Sequence, residues 1–104
     1  MPCGTSWPRN YVAEDMHISL VLDREAGRRG ALKLIGLVQH SGIAVETLEG
    51  IEVQLSTAQT AYHQQIDELG NFVFAPVVPA LYTLELQLPE SIVVIEQLHV
   101  TAQA

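Results

Sequence analysis

The stretch from Asp67 to Leu88, DELGNFVFAPVVPALYTLELQL, restricts the fold more than any other part of the chain. The acidic pair Asp67-Glu68 followed by Gly70 and Asn71 favours a tight turn with left-handed backbone. Phe72 and Phe74 then share one side of an extended segment, with Val73 between them on the other. Pro76 and Pro79 bracket two valines, so a helix cannot run through this region. From Tyr82 onward the alternation is regular. Tyr82, Leu84, Leu86 and Leu88 occupy one face, and Thr83, Glu85 and Gln87 the other. That pattern describes a half-buried antiparallel strand bounded by Pro89.

The same period of two recurs through the chain. Met16 to Asp23 sets Ile18, Leu20 and Leu22 against His17, Ser19, Val21 and Asp23. Arg24 to Gly30 is polar and glycine-bounded, a loop between strands. Ala31 to Gln39 is apolar on both faces, with Leu34, Gly36 and Val38 on one and Ile35 and Leu37 on the other. Two apolar faces imply a central strand, a strand covered on its outside, or a contact surface. A connection from His40 to Gly50 leads to a third strand, Ile51 to Leu55. A turn at 56–59 and a returning segment over Thr60 to Ile66 follow, read as a strand from its β-branched ends and flanking turns although TAQTAYHQQ is also compatible with a helix. Phe72 to Ala75, Leu81 to Leu88 and Ile92 to Val100 complete about seven short strands. Short strands with turns every 8–12 residues argue for an all-β chain folded as an antiparallel two-sheet sandwich.

With 104 residues there is room for one domain. Met1 to Asp15 has no periodicity, and a flexible N-terminal arm is expected over 1–15, with the sandwich domain over 16–104. Trp7 and Tyr11 are the arm's large groups and the ones able to pin it to the body.

Twelve acids against five bases give a formal net charge of -7, which repels phosphate backbones and anionic membrane surfaces. Neither nucleic acid nor membrane is therefore an expected partner. No apolar run approaches the ~20 residues of a membrane span. The first ten residues hold Trp7, Pro8 and Arg9 in place of a basic-then-apolar leader, so a soluble, cytoplasmic chain is expected. The single Cys3 can form neither an intrachain disulfide nor a cysteine metal cluster.

Four motifs in order resemble a known family. They are Gly36-x-Val38, Gly50-Ile51-x-Val53-x-Leu55, Asp67-x-x-Gly70-x-Phe72-x-Phe74 and Val78-Pro79-x-x-Tyr82-x-Leu84. Together they resemble the carboxypeptidase regulatory-like domains, small transthyretin-like (prealbumin-like) sandwiches related in architecture to Ig-like folds. The flanks, Met16 to Gln39 and the closing IVVIEQLHV, resemble the subgroup found beside bacterial extracytoplasmic-function sigma factors and anti-sigma proteins. One position departs from the pattern. The family usually has a glycine two residues before the tyrosine, where this chain has Ala80, so a rearranged turn is expected there. The resemblance implies a non-catalytic accessory or regulatory module, linked in the narrower match to sigma-factor signalling.

Chemistry is sparse. His17, His40, His63 and His99 lie on separate strands or loops, without the spacing that brings two metal ligands together. His40 precedes Ser41-Gly42, but no G-x-S-x-G nucleophile elbow surrounds it. The acids at Glu46, Glu49 and Glu52 and at Asp67-Glu68 read as solvated, and Asp67 as a ligand of its own turn backbone. An oxygen site for calcium from Asp67, Glu68 and Asn71 lacks the dense alternation of acids such loops show. The C-terminal Tyr-Arg-Gly-Ser motif of the related 5-hydroxyisourate hydrolases is replaced by HVTAQA. No enzyme activity and no cofactor are expected.

What remains is interaction. The expected partner is another protein, or a second copy of the chain, met through an exposed edge strand, with Ile35 and Leu37 as the candidate contact residues. The alternative is a small-ligand or carbohydrate-binding module that uses the loops at one end of the sandwich.

Overall fold

The computed structural model describes residues 7–13, 15–24 and 31–101. Among these residues eight strands form two four-stranded antiparallel sheets, an all-β sandwich. The strands are β1 (Arg9–Ala13), β2 (Met16–Arg24), β3 (Leu32–His40), β4 (Glu52–Ser56), β5 (Ala61–Gln65), β6 (Asn71–Val77), β7 (Ala80–Gln87) and β8 (Ile92–Val100). One sheet runs β1-β2-β3-β6 and the other β5-β4-β7-β8. A short 3-10 turn, Val45–Leu48, bridges β3 to β4 and buries Leu48 under one end of the sandwich. Edge strands β5 and β6 meet along one seam between the sheets.

The alternation read from the sequence is the alternation that fills the core. Ile18, Leu20, Leu34 and Val38 face Val53, Leu55, Tyr82, Leu84 and Leu86 across the sandwich, all essentially inaccessible. No charged or polar residue is buried among the described residues. The interior is therefore held by apolar burial, worth on the order of 2 kcal/mol for each full-sized side chain removed from water.

Two backbone devices fix where the strands lie. Gly36 pairs with Phe72 across β3 and β6, and a Cβ at Gly36 would overlap the Phe72 ring. The glycine is thus a seat for an aromatic ring. Phe72 also meets Phe74 edge-on, with centroids 5.9 Å apart. The turn ahead of β6 is built as the acidic pair and glycine predict. One Asp67 carboxylate oxygen accepts from the backbone N–H of Leu69 and of Asn71, both at 2.9 Å. Gly70 takes φ +88°, and its carbonyl accepts from Val38 N at 2.8 Å.

Some segments differ from the sequence reading. Residues 9–13, expected within the arm, form β1 and pair with β2 from Arg9↔Leu20 to Ala13↔Met16. Trp7 and Tyr11 pack against the core, and the Arg9 guanidinium lies 3.9 Å from the centroid of the Trp7 ring. Residues 1–6 and 14 of the expected arm lie outside the described residues. Arg24, expected to open the loop of Arg24 to Gly30, is instead the last residue of β2, and residues 25–30 lie outside the described residues. β6 continues through Pro76 to Val77. The ladder slips there, with Leu32 opposite Val77 and Leu34 opposite Phe74, so Ala75 and Pro76 form a bulge on an edge strand, where a missing N–H is tolerated. Ala80 opens β7 in register with Val100, and Gln97 rather than Ala80 is the non-glycine residue with positive φ among the described residues. Ala80 is a strand residue without positive φ, so this position does not require glycine here.

Tyr82 closes the structure of the second sheet. It is 1% exposed, and its hydroxyl donates to Val78 O at 2.8 Å, tying the start of β7 to the residue four positions upstream. Burial raises its pKa above 10.0, and the nearby Tyr62 adds to the rise.

Two predictions follow from these contacts. Gly36→Ala forces the Phe72 ring out of its seat, and overpacking of this kind costs about 1–3 kcal/mol. The expected readout is a fall in Tm of roughly 5–20 °C for a domain of this size; an unchanged melting curve removes the seat argument. For Tyr82, the folded chain holds the phenolic proton more tightly than the unfolded chain. Its contribution to stability is intact well below pH 10, and it is lost as pH rises through the unfolded value toward the raised folded one. Tyr82→Phe is expected to lose about 1 kcal/mol at neutral pH, from the missing hydrogen bond. It should also flatten the decline in denaturant midpoint above pH 10, and an equal decline in both proteins refutes the assignment.

Candidate functional site

Because side chains alternate along each strand, every residue that does not face the core faces outward, and the two sheets present two very different surfaces. On the β5-β4-β7-β8 sheet the outward row across the middle is His63, Gln54, Glu85 and Val94. The next row is Gln65, Glu52, Gln87 and Ile92. Glu52 holds this surface together locally, accepting from Gln65 Nε2 at 3.1 Å and lying 3.9 Å from His63 Nδ1. Apart from Ile92, Val94 and Leu81 the surface is polar, and it carries Glu52, Glu85 and Glu96. It is a solvated acidic face.

The outer face of the β1-β2-β3-β6 sheet is its opposite. Register aligns Val21 of β2, Ile35 of β3 and Val73 of β6 in one continuous row across three hydrogen-bonded strands. Val21 is 43% and Val73 41% exposed, with Ile35 half-buried between them. In the neighbouring row Leu37 stands between Ser19 and Asn71. Beyond it, Val12 on β1 is 74% exposed beside His17. Polar groups rim this patch. His17 Nε2 and Ser19 Oγ both reach Asn10 Oδ1, at 3.2 and 2.8 Å. Among the described residues, Asp23 is the one carboxylate that strand alternation places on this face, and Lys33 stands opposite it in register. A chain of net charge -7 thus keeps one sheet face almost free of acids.

Ile35 and Leu37, the contact residues expected from the sequence, both lie on this face. Leu37 is sheltered on one side by the 67–70 turn, where a Cβ at Gly70 would sit 3.6 Å from its Cδ1. A shallow depression continues from Leu37 past Val45 and Ile43 to Leu69, which is 65% exposed. The sequence reading did not single out Val12, Val21 or Val73. Each is an isolated valine among polar or core residues in its own strand, and only the pairing of strands assembles them.

The other candidate groups stay apart. His40 Nδ1 lies 2.9 Å from Ser41 O, the backbone oxygen of the next residue, while His17 and His63 sit on opposite outer faces. No group of three or more His, Cys, Asp or Glu side chains is placed to hold a metal ion among the described residues. Asp67 spends one carboxylate oxygen on its own turn. A cleft of about 350 Å³ opens at one end of the sandwich, between the 40–51 connection and the 88–91 turn. His40, Thr47, Glu90 and Ser91 give it polar groups, and Ile43, Ile51 and Leu88 an apolar wall. No Phe, Tyr or Trp ring lines it, so it lacks the broad stacking platform on which sugars are held. No helix of the described residues is long and apolar enough to cross a membrane. No family model, curated protein or solved structure matches the chain.

Proposed function

We propose that this chain is a non-enzymatic β-sandwich interaction module, docking a protein surface through the outer face of the β1-β2-β3-β6 sheet. The observation that carries this reading is the row Val21–Ile35–Val73, apolar and accessible across three adjacent strands. A contiguous apolar patch with a polar rim is the usual mark of a protein contact. The surrounding charge distribution supports it as well. Desolvating carboxylates is costly, and this is the large face on which docking would desolvate fewest of them. The reading agrees with what the resemblance to carboxypeptidase regulatory-like domains implies, an accessory role rather than catalysis, with sigma-factor signalling as its narrower form. The end cleft favours small-ligand binding as a second reading, without the aromatic surface a carbohydrate would use.

A photo-crosslinking residue placed at Val73 tests the proposal in cells that express the chain natively. Discrete protein adducts are expected from position 73, and none from Gln87 on the acidic face. Equal labelling from both faces, or no adduct from either, removes the proposal. Leu37→Lys should lower adduct yield from position 73 several-fold while shifting Tm by no more than a few degrees, since Leu37 is only half-buried. A collapse of Tm would instead make Leu37 a core residue.

A further inference from the structure

The outer face of the β1-β2-β3-β6 sheet is complementary to itself, and we infer that its partner is a second copy of this chain. The inference rests on the reading of that face as a docking surface and adds the identity of the occupant. Its first support is the register. Asp23 and Lys33 are Cα partners on β2 and β3, Val21 and Ile35 are partners two residues along, and Ser19 and Leu37 two residues beyond that. All six lie on the outer face.

Consider a two-fold axis parallel to the strands, midway between β2 and β3, with the two sheets packed face to face at ~10 Å. The rotation lays β2 of one copy over β3 of the other without shifting position along the strands. Val21 then meets Ile35 of the second copy, and Ile35 meets its Val21. Asp23 meets Lys33 of the second copy, and Lys33 meets its Asp23. The four charges form an alternating square, Val21 and Ile35 stack on Ile35 and Val21 of the second copy, and β6 with Val73 lies over the side of the sheet that carries β1. An isologous interface requires this kind of self-complementarity, in which residue i touches j and j touches i. A foreign partner would place no such condition on the order of charges.

Net charge is the second support. Two bodies of charge -7 repel, and that repulsion is weakest where the surfaces in contact carry fewest acids. Among the described residues the nine other carboxylates, with Glu52 and Glu85 among them, are on the opposite face, in turns or at strand ends, and those on the opposite face lie beyond the ~8 Å screening length at physiological salt. Four strands ~4.8 Å apart and about seven residues long give a face that hides on the order of 1,000 Å² in total when two copies meet. This lies at the lower limit for a specific contact, so the dimer is expected to be reversible and concentration-dependent.

Sedimentation equilibrium of the purified chain over a micromolar concentration series tests the inference. The wild type is expected to dimerise and to dissociate on dilution. Asp23→Lys and Lys33→Asp each place like charges over one another, and each alone should weaken the dimer at least tenfold. Mixed one to one, the two variants restore opposite charges at both contacts and should dimerise again, which neither does alone. That rescue also shows that both variants fold. A wild type that stays monomeric throughout overturns the inference, as does a dimer that both variants leave intact. Should the wild type be monomeric while position 73 crosslinks to a protein of another mass, the second-copy inference fails and the docking reading stands. If the wild type is monomeric and position 73 gives no adduct, both fail.

Discussion

The Phe72 ring lying in the space left by Gly36 fixes the register between β3 and β6, and most of the surface architecture depends on that register. A slip of one residue would turn every β6 side chain to the other face. Phe72 and Phe74 would leave the core, and Val73 would enter it. The 67–70 turn removes the remaining freedom, because Asp67 binds the backbone on both sides of Gly70 while Gly70 O accepts from Val38 N. The same constraint that packs two aromatic rings inside sets Val73 beside Ile35 outside. Core and candidate site are therefore one solution of one pairing problem, and a change at Gly36 would disturb both.

Much of this could be read from local pattern. Tyr82 to Leu88 and Met16 to Asp23 alternate so regularly that their inner and outer faces follow from the period alone. Ile35 and Leu37 stood out because both faces of their strand are apolar. The parts that could not be read have physical reasons. β1 escaped notice because its pattern is inverted, with Val12 exposed while Arg9 turns inward and lies against Trp7. The strand expected over Phe72 to Ala75 extends through Pro76 to Val77, because proline is excluded from a sheet interior but not from a bulged edge. The row Val21–Ile35–Val73 is non-local. Its members are 14 and 38 residues apart in sequence, and only the register of three strands brings them together.

A two-sheet sandwich has four edges and two outer faces, and each could associate with another chain. The edges of this molecule are blunted in different ways. β1 and β5 are five residues long, and β5 is polar over His63, Gln64 and Gln65. β6 bulges at Ala75-Pro76. β8 is nine residues long and begins with an uninterrupted run of β-branched residues, the usual composition of a sticky edge. Its ladder slips, so that Glu96 and Gln97 together oppose Thr83, with Gln97 at φ 57°. A bulge carrying a left-handed residue twists an edge away from further pairing.

These devices bear on how the molecule meets others. Edge pairing draws its energy from backbone hydrogen bonds, which any extended chain can supply, and so it discriminates poorly among partners. A face draws its energy from side chains at fixed register positions, and can select by shape and by the order of its charges. A sandwich that bends or shortens its edges while leaving one face apolar and nearly free of acids shifts association from the first mode to the second. On that face the row of Val21, Ile35 and Val73 supplies attraction without direction, and Asp23 beside Lys33 supplies direction with little net charge. Attraction alone would admit many apolar surfaces. In the proposed dimer the pair of opposite charges would favour a surface bearing the same pair in the reverse order, which a second copy presents when rotated by half a turn.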